Sequence, residues 1–371
     1  MTTVLVTGAA GFIGKNLVEA LKRQDGVTVL AYDRGNSDED LAQSLAEADI
    51  IYHLAGVNRP QNVDEYEAGN AGFAGDICAR LESIGRTPKI VVSSSIQAEL
   101  DNPYGISKRH GEDEFRKFSE RTAADVVIYR LKNVFGKWCR PNYNSVVATF
   151  CYNIANGLPI SISDPTRILE LVYIDDVVKA FLSELDRGDS ARGLADVSPS
   201  FSVSLGDLAA KVESFKSSRV NLVLPDYSDD FTRRLYATYL SYLGDKDFAY
   251  SLDIKTDNRG SLAEFLKSPP FGQLFVSRTK PGITRGNHYH HTKTEKFFVV
   301  EGDAIVRFRH INDESVIEYP VSRAEYRVVD IPPGYTHSIE NVGDSELVVL
   351  FWSSELFNPE EPDTYFSEVI R

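Results

Sequence analysis

With 371 residues, 42% of them apolar and 25% charged, the chain has the make-up of an ordinary globular protein with room for two domains, which excludes disordered and fibrous classes. A formal net charge of -14 excludes a nucleic-acid binder, which needs a basic stripe to neutralise phosphates, but leaves open an anionic small ligand held by a few local cations. The three cysteines, Cys78, Cys139 and Cys151, form no CxxC pair, and no run of about 18 apolar residues stands out, so the expectation is a cytoplasmic protein with free thiols and no membrane association.

In chain order, a β-branched apolar run at 2–7 leads into a glycine-rich turn and a helical pattern from Phe12 to Leu21. A second strand is predicted at 27–33 and a helix around 38–47, then strands at 49–54, 89–94 and 125–130 with helical stretches between them. Strands alternating with helices at this spacing predict right-handed βαβ units on a parallel sheet. Near residue 245 the rhythm changes. Short alternating runs at 272–278, 296–300, 304–310, 316–319, 326–331 and 346–352, separated by turn residues, predict an antiparallel sandwich or barrel. The boundary falls between 244 and 252, which gives a first domain over 1–243 and a second over 252–371.

The turn after the first strand reads Thr7-Gly8-Ala9-Ala10-Gly11-Phe12-Ile13-Gly14. Glycines let the backbone approach a pyrophosphate, and the helix that follows presents free N–H groups and the positive end of its dipole. Asp33 closes the second strand 19 residues after Gly14, where an acidic side chain meets an adenosine ribose and favours NAD. The adjacent Arg34 favours the 2′-phosphate of NADP instead. The lean is to NADPH, with NAD possible.

Tyr104 and Lys108 stand at i and i+4, on one face of a helix. A phenol is a poor acid–base catalyst at neutral pH, and a neighbouring ammonium lowers its pKa toward the working range. A serine of the upstream Ser93-Ser94-Ser95 run would hydrogen-bond the substrate oxygen. Together with His53-Leu54-Ala55-Gly56, Asn70, the stretch Arg130 to Gly136 containing Asn133, and Tyr173-Ile174-Asp175-Asp176, these residues resemble the extended short-chain dehydrogenase/reductases over roughly residues 1–240. The resemblance implies a doubly wound Rossmann-type α/β fold, with Tyr104 as proton donor and acceptor and Lys108 as its activator and ribose ligand. It makes Ser95, or else Ser94, the third member. It also implies a nucleotide-sugar substrate, for which Asn133, Lys137, Arg140 and Arg167 are candidate ligands. Family dehydratases carry an acid or lysine just after the catalytic hydroxyl residue. Here Ile96-Gln97 stand there, which favours plain oxidation or reduction.

In the second domain, Gly282 to Gly302 matches G(X)5HXH(X)4E(X)6G, and Pro332 to Asn341 matches PXG(X)2H(X)3N. These are the two motifs of the cupins, so an all-β jelly-roll barrel is implied. His288 and His290 lie on one side of a strand, and Glu295 and His337 complete a ligand set suited to Zn, Mn, Fe or Ni. Asp257-Asn258-Arg259-Gly260, Glu264 and Arg285-Gly286-Asn287-His288-Tyr289 further resemble metal-free 3(,5)-epimerases of 4-keto-sugar nucleotides, whose base is the histidine at the place of His288. Inside a metal set that role passes to His291, Tyr289 or Glu264, or the metal polarises the ketone. Arg259 and Arg285 are candidates for the diphosphate.

A reductase and an α-epimerase both need a ketone. The tandem order resembles a family of bifunctional capsular-polysaccharide enzymes over essentially the whole chain. That resemblance implies C3 epimerisation and C4 reduction of a UDP-2-acetamido-2,6-dideoxy-4-keto-hexose toward UDP-N-acetyl-L-fucosamine, with NADPH, a divalent metal of the zinc type and a homodimer. The competing readings are an NAD-retaining nucleotide-sugar 4-epimerase or dehydratase, and a non-catalytic sensor of NAD(P) and sugar.

Overall fold

The first strand, Thr2–Thr7, is apolar along most of its length because both its faces are covered. Side chains alternate across a strand, so Val4 and Val6 enter one core with Leu17, Leu21, Val177 and Phe181, while Leu5 enters another with Leu41, Ile77 and Phe115. Burial on both sides is what a parallel sheet flanked by helices demands. The computed structural model describes residues 1–185 and 193–371. The chain divides into two units, Met1–Val212 with Arg234–Gly244, and Glu213–Arg233 with Asp245–Arg371.

In the first unit six parallel strands run in the order Val27–Tyr32, Thr2–Thr7, Ile50–His53, Lys89–Ser95, Val126–Leu131, Gly193–Ala195. The order reverses between Thr2–Thr7 and Ile50–His53, and doubly wound sheets bind ligands beyond the carboxyl ends of the strands at such a point. The helix Asp38–Glu47 begins at a reciprocal cap: Ser37 Oγ accepts from the Asp40 N–H, and the Asp40 carboxylate accepts from the Ser37 N–H. The helix Phe12–Leu21 has Gly11 at its N-cap and no side-chain acceptor there, which leaves its first amides to a ligand. A small sheet of Asn133–Phe135, Ile168–Tyr173 and Ser200–Ser204 has no counterpart in the sequence reading, its strands being short and mixed in polarity.

The second unit is built of antiparallel strands in two sheets. One runs Ile254–Asp257, Gly260–Ser268, Gly272–Thr279, Leu347–Ser353, Glu295–Glu301, Val328–Ile331. The other runs Val316–Ser322, Asp303–His310, Tyr335–Asn341, Thr284–Tyr289, Tyr365–Phe366. Alternate residues such as Phe297, Val299, Val306, Phe308, Val349 and Phe351 form its core. The strand expected at 326–331 starts only at Val328, and Tyr326 is exposed in the turn before it. The segment Glu213–Arg233, whose helical pattern groups it with the first domain, belongs here. Leu224 N–H donates to Lys267 O and Lys267 N–H donates to Leu222 O, each at 2.8 Å, which extends the edge of Gly260–Ser268.

One buried ion pair anchors the start of the strand that ends at Ser95. Lys89 Nζ lies 2.6 Å from Glu184 Oε2, and Tyr129 Oη donates to Glu184 Oε1 at 2.7 Å. Both charged side chains are under a tenth exposed. Removing one partner of such a pair leaves an uncompensated buried charge, so Lys89→Met is expected to destabilise the unit by about 3–5 kcal/mol. Denaturant unfolding of wild type and variant checks it; a loss under about 1 kcal/mol, the range of an exposed pair, would refute it.

Candidate functional site

At the switch point the first strand ends in a cleft of about 670 Å³, lined by Gly8, Gly11, Phe12, Asp33, Arg34, Leu54, Ala55, Gly56 and Arg140, with Trp138 and Tyr143. Gly8 has φ +70°, and a Cβ there would come within 2.7 Å of the Ala55 nitrogen. At Gly14 a Cβ would meet Gly8 O at 2.2 Å. Glycine at both positions lets the helix start and the adjacent loop close on the strand end. Gly14 itself and Ile13 do not line the cleft; Ile13 packs against the core. Asp33 Oδ2 accepts the Ala10 N–H and Oδ1 accepts the Arg34 N–H, each at 2.8 Å. Asn70 ties the far wall down, accepting from Val57 N–H and donating to Val57 O and Ser107 Oγ.

Tyr104 sits in the first turn of the helix Pro103–Thr122, capped by Asn102, and Ser95 ends the strand Lys89–Ser95. Burial raises the Tyr104 pKa above that of a free phenol, and the nearby Ser95 hydroxyl only opposes this. Lys108 does not contribute to the Tyr104 shift, and its ammonium donates to Ser93 O at 2.8 Å. Burial in turn lowers the Lys108 pKa to about 8, against a smaller opposing pull from Glu112. A Cβ on Gly56 would be 3.7 Å from Lys108 Nζ, so the ammonium borders the cleft wall. Ser94 faces elsewhere: its Oγ donates to the buried Glu112 at 2.5 Å, in a cluster that Arg130 and Arg116 complete. Of the two serines, Ser95 is the one near Tyr104.

The remaining nucleotide-sugar candidates of this unit are dispersed. Arg140 lies over the Tyr143 ring at 5.1 Å and lines the cleft. Lys137 pairs with Asp175 at 2.5 Å, Asn133 Nδ2 donates to Glu170 O at 3.0 Å, and Arg167 is exposed away from the cleft lining. Trp138, half-exposed and lying between the candidates Lys137 and Arg140, also lines the cleft, and sequence reasoning gave it no role.

In the second unit His288, His290, Glu295 and His337 bring four ligand atoms within 4.8 Å of one another. His288 pairs across the ladder with His337. His290 lies one residue past the end of Thr284–Tyr289 rather than within it, and Glu295 comes from the other sheet. Glu295 Oε2 is 3.5 Å from Nε2 of both His290 and His337. That spacing is about the edge of a tetrahedron with metal–ligand bonds of roughly 2.1 Å. Nε2 of His290 and both ring nitrogens of His337 are buried without a hydrogen-bond partner, a costly state that a metal relieves. The donor set therefore fits a divalent ion. Burial, with the charge of His337 beside it, brings the His288 pKa down to about 4. Burial opposes ionisation of Glu295, but His290 and His337 hold its carboxyl well below the usual range.

Around this centre, Arg259 forms a two-nitrogen pair with Asp257, Arg285 Nε donates to Thr279 Oγ1 at 3.0 Å, and Glu264 pairs with Lys267 at 2.8 Å. His291 is exposed with its ring 4.9 Å from that of Tyr365. A residue that sequence reasoning missed, Asp363, accepts from His290 Nδ1 through its main-chain oxygen at 2.6 Å.

Residues 4–194 match the NAD dependent epimerase/dehydratase family, and residues 255–365 match the polysaccharide biosynthesis C-terminal domain. The UDP-2-acetamido-2,6-beta-L-arabino-hexul-4-ose reductase of Pseudomonas aeruginosa is 43% identical over 99% of this chain and 98% of its own. This chain belongs to the NAD dependent epimerase/dehydratase family and is a CapF-like enzyme. The crystal structure of the capsular polysaccharide assembling protein CapF from Staphylococcus aureus superposes with a TM-score of 0.93 at 46% identity, covering 98% of this chain and 99% of that one. A UDP-glucuronic acid 4-epimerase from Bacillus cereus, solved with NAD, shares the fold at 20% identity, with a TM-score of 0.56 over 65% of this chain and 98% of its own. The CapF-like chain is thus an NAD(P)H-dependent reductase of nucleotide-sugar and capsular polysaccharide biosynthesis. Among its described residues no helix is long and apolar enough to cross a membrane.

The lowered Lys108 value sets a pH dependence. Protonation of this amine is lost in the folded protein above about pH 8, whereas the unfolded chain keeps it to about pH 10.5. Folding stability therefore rises with pH across that window, while anything that needs the ammonium declines. The kcat/KM for NADPH is expected to fall above about pH 8, and Lys108→Arg, which keeps its charge, to flatten that limb at a lower plateau. An unchanged limb in Lys108→Arg would show that another group titrates there.

Proposed function

We propose that the first unit reduces the C4 ketone of a UDP-2-acetamido-2,6-dideoxy-4-keto-hexose with NADPH, and that the second unit first inverts C3 of the same sugar, on the way to UDP-N-acetyl-L-fucosamine. The observation that carries this reading is the glycine-lined cleft whose wall the Lys108 ammonium borders, one helical turn along Pro103–Thr122 from Tyr104. NADPH held in the cleft would supply hydride to C4. Tyr104 would give its phenolic proton to the C4 oxygen, Ser95 would hold that oxygen in place, and Lys108, whose ammonium borders the cleft wall, would bind the nicotinamide ribose. The phenol's raised pKa suits a donor that must be protonated at rest.

Two features favour NADPH over NADH. Both carboxylate oxygens of Asp33 already accept main-chain N–H groups, and Arg34 with Arg59 lines a recess of about 290 Å³ that shares Gly56, Val57 and Asn58 with the cleft. In the second unit His288, His290, Glu295 and His337 would hold a divalent metal of the zinc type. Such an ion polarises a ketone and makes the proton on the neighbouring carbon acidic. His291 and Tyr289 are the candidates to move that proton, and Arg259 and Arg285 those to hold the diphosphate; Tyr289 stacks on Tyr365 and His291 meets both rings edge-on. Epimerisation precedes reduction because reduction destroys the ketone it needs. The enzyme works as a cytoplasmic homodimer in this reading.

Tyr104→Phe is expected to lower NADPH oxidation on the 4-keto-sugar nucleotide by about 10²–10⁴-fold while leaving NADPH binding intact; retained turnover would end the reductase assignment. In D₂O the sugar should gain deuterium at C3, and His337→Ala should abolish that label, read by NMR. Labelling that persists in His337→Ala would exclude a metal-dependent epimerase.

A further inference from the structure

We infer that Asp363 is a positioning residue of the metal centre, holding His290 with its main-chain oxygen and the loop that leads to Glu295 with its carboxylate. The inference rests on the metal reading above. His290 lies beyond the strand Thr284–Tyr289, so no ladder fixes its ring. Asp363 O, 2.6 Å from His290 Nδ1, accepts the proton that must then sit on Nδ1. This leaves the lone pair on Nε2, the nitrogen 3.5 Å from Glu295. The Asp363 carboxylate accepts the main-chain N–H groups of His291, Thr292 and Lys293, each at 2.9 Å, and the Thr292 hydroxyl at 3.1 Å. Three successive amides on one carboxylate set the path of the chain between two ligands.

Asp363 is itself held in place. Its φ of 39° lies in the left-handed region, which aspartate tolerates better than most residues. That bend lets oxygen atoms from the main chain and side chain of one residue face the same loop. Lys293 Nζ donates to Pro362 O at 2.9 Å and Thr364 Oγ1 at 3.0 Å. Tyr365–Phe366 pairs with His288 and Tyr289. Arg309, 1% exposed, donates to Glu368 O at 2.7 Å and Val369 O at 3.1 Å. The strap is fixed on both sides of Asp363, so its contacts to the ligand loop have a rigid base.

Titrating the full chain with Zn²⁺ against a chromogenic chelator tests the inference. Asp363→Ala keeps the main-chain oxygen but frees the three amides that hold it against the ligand loop, and is expected to weaken Zn²⁺ binding about 10-fold, with NADPH binding unchanged. Asp363→Asn, which keeps one acceptor oxygen, should fall between. With Co²⁺ as the probe, the visible spectrum of Asp363→Ala should shift, since ligand geometry changes; a role confined to loop stability would leave it as in the wild type. Equal Zn²⁺ affinity of Asp363→Ala and wild type overturns the inference, and if that variant fails to fold, equality for Asp363→Asn does so. A wild-type chain that takes up no Zn²⁺ overturns the metal reading instead, and this inference with it.

Discussion

A parallel strand buried on both faces has only its carboxyl end to offer for chemistry. In the first unit the strand interiors feed two apolar cores, and polar side chains gather where strands stop. Thr7 and His53 share a hydrogen bond at 3.0 Å at the ends of adjacent strands, and Ser95 closes a third. The loops that leave those ends, carrying Gly8 and Leu54 to Gly56, become the walls of the cleft. Its location thus follows from sheet order, and the glycines decide only how closely its floor can be approached.

The same burial governs charge. Desolvation brings the His53 pKa down to about 3, so this ring stays neutral, and it loosens the proton of Lys108 while tightening that of Tyr104. All three effects suppress ionisation beside the cleft. Positive charge is found among its lining residues at Lys15, Arg34 and Arg140, on a chain whose net charge is -14. An anionic dinucleotide is thereby met by local cations despite the overall sign. The second unit resolves burial differently, by setting one carboxylate against three imidazoles.

What could be read in the sequence was what spacing encodes locally. The glycine turn, the i, i+4 pair of Tyr104 and Lys108, and the four histidine and glutamate positions all depend on residues close together in the chain or on a fixed motif. The preference for Ser95 over Ser94 rested on resemblance, and spacing could not show that Glu112, 18 residues on, takes up Ser94. Nor could spacing show that Lys137, read as a substrate ligand, and Glu264, read as a candidate base, already have Asp175 and Lys267 as partners. It could not show either that Ser93 O takes up a donor of the Lys108 ammonium. Asp363 lies in the ending 359–366, where no spacing assigns it a role.

The bond between His290 and Asp363 spans 73 residues. Closing a loop of that length carries an entropic cost that short hairpins do not, and nearer contacts form first. His288 and His337 pair across the ladder, and Glu295 pairs with Ile331, over shorter stretches of chain. Of the four ligands, His290 is thus the one held by the part of the chain most distant from it. A chain cut before the strap would keep the strands of the other three while freeing the ring of His290.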